Sequence, residues 1–186
     1  MVIESVATSA IVSKIRKGKI KNIEKLEFKG WYFFILGFIV EVASNLLKAK
    51  GIQPIARFLD NYFLYIHILS YLLIFTGICM NYKKKSMWLV FTGTFMNFLV
   101  IVSNGGHMPV WLEGLKIVGL VPADAVQASL DLTHTLLKET TRLAFLADII
   151  PLPRPYPLPK IISIGDVILA IGVFVFIQEA TVLKEE

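Results

Sequence analysis

Several residues in this chain carry chemistry that their surroundings do not invite. Glu41 and Asn45 stand four apart inside the apolar run Trp31–Leu47, a spacing that puts both on one face of a helix. His67 lies within Phe58–Met80. Asn97 and Asn104 are seven apart in and just beyond Met87–Ser103, with Thr94 near Asn97, and Asp166 stands near the start of Ile161–Gln178. In hydrocarbon an unpartnered polar group costs a few kcal/mol, so each must meet another polar group or a water-filled cavity. One shared inward face could gather Glu41, His67, Asn97 and Asp166 into a pocket that binds a cation, relays protons or holds a polar ligand. The alternative is interhelical hydrogen bonding, at roughly 0.6 kcal/mol per bond. Glu41, a carboxylate deep in an apolar run, is the hardest to explain that way.

A second group lies beyond the third apolar run. In Asn104-Gly105-Gly106-His107-Met108-Pro109, consecutive glycines let backbone approach a ligand closely, and their free amides could form an anion-binding nest. The same residues equally suit a helix C-cap, with Gly in the left-handed region and Pro preventing continuation. Asp148 could add a side-chain contact. Asp166 has a structural role open to it as well, because Ser163-x-x-Asp166 has capping-box spacing after a run of prolines. Asp131-x-x-His134, with His107 and Asp148, has the residue types of a metal site, but no HExxH or CxxC accompanies it, and no metal or cofactor is expected. The chain lacks GxxxxGK, GxGxxG and GxSxG, so phosphate-loop and nucleophile-elbow chemistry have no basis in it. The candidate ligand-binding set is therefore Glu41, Asn97, Asn104, Gly105, Gly106, His107, Met108, Pro109, Asp148 and Asp166.

The elements that must position these residues follow from composition. Of 186 residues, 55% are hydrophobic and 18% charged, and the mean hydropathy is +0.67. Soluble domains run near roughly 45–50% apolar and 25% charged, so the chain is neither disordered nor an ordinary soluble domain. The lone Cys79 excludes a disulfide framework and a thiolate cluster. A spanning helix needs roughly 20 mostly apolar residues. Segments 31–47, 58–80, 87–103 and 161–178 approach or meet that, and residues 1–15 form a shorter apolar stretch that suits a helix packed against the bundle. The expected fold is an all-α integral membrane protein in one domain, with four full transmembrane helices plus the short N-terminal helix.

Charge orients it. Seven Lys/Arg lie between Lys14 and Lys29, three more are Lys83, Lys84 and Lys85, and Lys184 follows the last span. Four crossings put these on one side, which the positive-inside rule makes cytoplasmic. Loops 14–29 and 81–87 and the C-terminus would then face the cytoplasm from a multi-pass protein of the cell membrane. The basic run could bind nucleic acid, but in this context it reads as topogenic, and no nucleic-acid partner is expected. Residues 104–160 are too long for a simple connector and read as an external lid. Its parts are an amphipathic helix capped by Asp124 and Gln127, with Val126, Leu130, Thr133 and Leu137 at helical spacing, then a proline-rich strap. Five of the eight prolines fall between Pro151 and Pro159, which favours extended backbone.

Asn97…Asn104-Gly-Gly-x-Met-Pro-Val110, then Asp148-Ile-Ile-Pro-Leu-Pro153, then Ser163-Ile-Gly-Asp-Val167 with Gly172, occur in that order. Together they resemble a family of small bacterial multispanning membrane proteins known as a domain of unknown function. The resemblance extends to the N-terminal helix, the basic stretch and Gly30-Trp31. It implies a membrane location and marks the three motifs as hallmarks, and it adds no substrate.

The partners to expect are the lipid bilayer and a small polar or ionic ligand, bound, transported or sensed at the external face. Two other functions stay open: an intramembrane enzyme acting on a lipid or isoprenoid through Asp148 or Asp166 with His107, and an accessory subunit whose strap meets a membrane partner. No two glycines are four apart, so GxxxG pairing is not indicated, while a homo-oligomer formed in another way stays open.

Overall fold

The computed structural model describes residues 1–19, 21–22, 27–119 and 133–182. The helix expected around Asp124, Val126, Gln127, Leu130 and Asp131, and the charges Lys25 and Lys184, lie outside the described residues.

The chain is mostly helical. In order come α1 (Val2–Ile15), α2 (Trp31–Ala49), α3 (Gln53–Cys79) and α4 (Lys85–Ser103), then β1 (Met108–Val110), α5 (Leu112–Ile117) and β2 (His134–Leu136). A 3-10 turn at Ala144–Leu146 leads to β3 (Ile150–Leu152), β4 (Lys160–Ile162) and α6 (Ile164–Thr181). α3, α4 and α6 are long and apolar enough to cross a membrane; α2 contributes the shorter apolar stretch Trp31–Leu47. Large apolar side chains stand exposed along these helices, among them Phe38, Tyr65, Leu72 and Trp88, the surface a bilayer would cover. α3 begins five residues before its expected start because Pro54 fits a first helical turn.

Packing runs α2–α3–α4–α6–α1. Glycine and hydroxyl side chains set how closely the helices approach. A Cβ on Gly93 of α4 would stand 2.5 Å from backbone atoms of Gly165 and Leu169, and one on Gly172 would stand 2.7 Å from the backbone of Val90. Backbones this close gain dispersion contacts that larger residues would prevent. Between α2 and α3, Ser70 Oγ donates to the Gly37 carbonyl at 2.8 Å.

α1 lies alongside α6 and runs parallel to it. Lys160, just ahead of α6, pairs with Glu4, and at the other end the Ser13 and Thr181 hydroxyls are 2.7 Å apart. Ser5, Ser9 and Ser13 recur every fourth residue and are all buried. Gln178 Nε2 donates to Ser9 O, Ser9 Oγ and Ser13 Oγ, while Arg16 donates to its Oε1. This hydroxyl seam is why a stretch too polar to read as a clear span still packs as a helix.

The basic regions collect at one end. Lys84 Nζ donates to Glu27 O at 2.7 Å, Lys19 N to Thr181 O at 3.1 Å, and Asn81 holds the backbone of Lys29. The described parts of the 104–163 segment fold over the opposite end, where Met108, Leu146 and Ala147 pack on Val100 and Ile101.

That covering segment departs from the expected all-α lid. β1 pairs in parallel with β2, and Val110 bridges Asp148 on its other side. His134–Leu136 is thus a strand, and the amphipathic helix does not continue through it to Leu137. The proline-rich segment is a hairpin in place of a single extended strap, since β3 and β4 pair antiparallel with Ile150 opposite Ile162. Backbone buried against the bundle needs hydrogen-bond partners, and short ladders supply them where helices do not reach.

Candidate functional site

A cavity of about 360 Å³ lies between α2, α3, α4 and α6. α4 faces it with Met87, Val90, Thr94 and Asn97, α6 with Leu169, Val173 and Phe176, α2 with Phe34 and Glu41, and α3 with Tyr71 and Ile74. Each set follows helical spacing, so single faces of four helices build the wall. Phe28 and Val2 complete it. The wall is predominantly aliphatic and aromatic, with Glu41, Tyr71, Thr94 and Asn97 as its polar members. Neither Glu41 nor Tyr71 forms a hydrogen bond among the described residues. Asn45, one turn beyond Glu41, keeps its buried Oδ1 without a hydrogen-bond partner.

Asn97 is held from outside the cavity. Its Nδ2 donates to Asp166 Oδ1 at 2.9 Å, and its Oδ1 accepts from Ser163 Oγ at 2.8 Å. Ser163 and Asp166 close the capping box of α6, with Asp166 N donating to Ser163 Oγ and Ser163 N to Asp166 Oδ2. Asp166 does not itself line the cavity; its carboxylate caps α6 and fixes the Asn97 amide that reaches it. Gly165 is required beside it, because a Cβ there would overlap the Asn97 amide.

The structure does not bring the remaining expected residues to this cavity. Asn104 Nδ2 donates to Val100 O at 2.7 Å and Arg142 O at 2.9 Å, and Arg142 N donates back to its Oδ1 at 3.0 Å. The amides of Asn104 and Gly106 both donate to Ile101 O, so the turn uses them to cap α4. Gly105 and Gly106 take φ of +71° and +93°, and Gly106 sits 3.1–3.2 Å, measured from its absent Cβ, from the backbone of Leu64. The His107 ring lies tilted against Phe63, with centroids 4.9 Å apart, and Phe63 also meets the buried His67 edge-on. Met108 and Pro109 belong to buried β1. Asp148 is buried, with Oδ2 3.3 Å from His134 Nε2. Among the described residues no three His, Cys, Asp or Glu side chains converge to hold a metal ion.

Outside the spanning helices, the Lys160 ammonium beside Glu4 holds that carboxyl at about 2, against an ordinary 4.5. Burial works against the Lys160 ammonium, but the bond to Glu4 leaves its pKa raised. The pair ties the start of α1 to the start of α6.

Sequence reasoning missed Tyr71, the aromatic wall and the hydroxyl seam. The spacing of Ser5, Ser9 and Ser13 was the available signal for the seam.

A family model described as a family of unknown function (DUF5317) matches residues 25–178. A protein of Thermotoga maritima described as uncharacterized is 32% identical over 167 residues, covering 90% of this chain and 84% of that protein. No solved structure matches. With most of its length matched, the chain belongs to the DUF5317 family.

Proposed function

We propose that the protein is a multi-pass cell-membrane protein, with α2, α3, α4 and α6 as its four spans, that binds a small amphiphile in the central cavity. The ligand has an apolar body and a cationic or hydrogen-bond-donating end. The basic end faces the cytoplasm, as the positive-inside rule requires. The observation that carries the reading is a mostly apolar cavity whose polar wall includes Glu41, a carboxylate that forms no hydrogen bond among the described residues. Ligand pockets of this size are commonly apolar with a few placed polar groups. A charged end meeting Glu41 would gain a charge-assisted bond in a low-dielectric setting. The site therefore sits deeper in the bundle than the external face, with Asn97 as its anchored second contact.

The test uses the full chain in phosphatidylcholine nanodiscs and compares stabilisation by decylammonium, decanol and decanoate. Decylammonium should raise Tm most and decanoate least, and Glu41→Gln should weaken decylammonium about tenfold or more in Kd. Val173→Trp, which fills the cavity, should abolish binding of all three. Equal response to all three head groups, or binding that survives Val173→Trp, would contradict the reading.

A second reading rests on the His134–Asp148 contact at 3.3 Å, a carboxylate–imidazole pair suited to acid/base chemistry on a lipid reaching that end. His134→Gln should then abolish turnover of a membrane-borne ester or phosphoester while leaving decylammonium binding intact.

A further inference from the structure

The basic end carries a second concavity, on the outside of the bundle. Ile78, Cys79 and Tyr82, at the end of α3 and the following turn, and Met87, Trp88 and Phe91, on the first turns of α4, line a groove of about 190 Å³. Apart from the Tyr82 phenol and the Trp88 indole, its wall is apolar. Tyr82 and Trp88 are themselves 59% and 62% exposed, as amphipathic rings at a bilayer interface are. Lys83 and Lys84 complete the turn that joins the two walls of the groove, and Lys85 opens α4. Lys84 is spent on Glu27 O, whereas Lys83 and Lys85 are exposed and have no partner among the described residues. Of the acids at this end among the described residues, Glu179 accepts from buried Ser86 at 2.6 Å and Glu27 is exposed.

We infer that this groove is a binding site for one anionic phospholipid, its acyl chain lying along Ile78, Met87 and Phe91 and its phosphate meeting Lys83 and Lys85. Charge complementarity selects this occupant. The groove alone would accept any lipid tail, but two unpartnered ammonium groups at its mouth favour a lipid with net negative charge. Each lysine near an anionic surface contributes about fivefold in affinity. Lys19 and Lys29, held at this end by Thr181 and Asn81, add long-range attraction, and the preference falls as salt rises. The groove opens on the outside of the bundle and shares only Met87 with the lining of the central cavity.

Trp88 supplies the readout. A Trp31→Phe/Trp111→Phe chain leaves it as the sole tryptophan, reconstituted in phosphatidylcholine vesicles containing either acyl-brominated phosphatidylglycerol or acyl-brominated phosphatidylcholine. Brominated phosphatidylglycerol should quench Trp88 at a mole fraction on the order of 20-fold lower. Lys83→Gln/Lys85→Gln should remove that preference, a shift on the order of 20-fold in half-quenching mole fraction. Should the two tryptophan substitutions prevent folding, native mass spectrometry of the wild type and the double-lysine variant gives the same comparison by counting retained phosphatidylglycerol. Equal quenching by both lipids, a preference that survives the double substitution, or displacement of the brominated lipid by millimolar inorganic phosphate would each overturn the inference.

Discussion

The end of the bundle opposite the basic stretch and the cavity within it carry the same kinds of side chain put to different use. At the covered end, Asn104 clasps Arg142, Asp148 meets His134, and Asp166 caps α6 while holding Asn97. In the cavity, Glu41 and Tyr71 form no hydrogen bond among the described residues. A polar side chain spent on the protein supports the fold, whereas one left facing a cavity is available to something else. The two ends of the bundle sharpen the point. Asn81, just beyond α3, donates to Gly77 O and Lys29 O and accepts from Lys29 N. Asn104, just beyond α4, does the same with Val100 and Arg142. One device, an asparagine that binds its own last turn and clamps a distant backbone, closes both ends.

The contrast predicts that partnered groups set stability and cavity groups set binding. The largest expected effect comes from the seam that anchors Asn97. Gly93→Ala drives a Cβ into the backbone of α6 and should cost about 3 kcal/mol, read as a drop in the unfolding midpoint in detergent. Next, Asn81→Ala and Asn104→Ala should each lose about 2 kcal/mol, because each removes the partner of one backbone N–H and two backbone C=O groups at a helix junction. Equal losses identify the two as the same clamp; a silent Asn104→Ala would reopen a ligand role for the glycine turn.

A smaller effect should follow pH at α1. The folded-state pKa of Glu4 is depressed to about 2 from 4.5, so its contribution is complete above 4.5 and is lost as pH falls toward 2. The Tm difference between wild type and Glu4→Gln should accordingly be full at pH 6 and vanish near pH 2.

Much of this was legible in the sequence. Apolar length located α3, α4 and α6, the shorter Trp31–Leu47 run located α2, and the lysines marked one end. Ser163-x-x-Asp166 gave the capping box because capping is local chemistry written in adjacent residues. Partners distant in sequence were not legible. Nothing near Asn104 points to Arg142, 38 residues on, and nothing near Ser9 points to Gln178. β1 and β2 were hidden for a related reason: three-residue strands have too little periodicity to register, and His134 also fitted a helical pattern. Glu41 could be singled out because an isolated carboxylate in an apolar run is costly wherever it ends up.

The most direct test measures ligand-free Tm and decylammonium affinity side by side in Glu41→Gln. The account predicts a Tm within about 2 °C of wild type, because no hydrogen bond among the described residues is lost, together with affinity reduced about tenfold or more. A large fall in Tm with unchanged affinity would contradict it, by making Glu41 one more side chain that holds the bundle together.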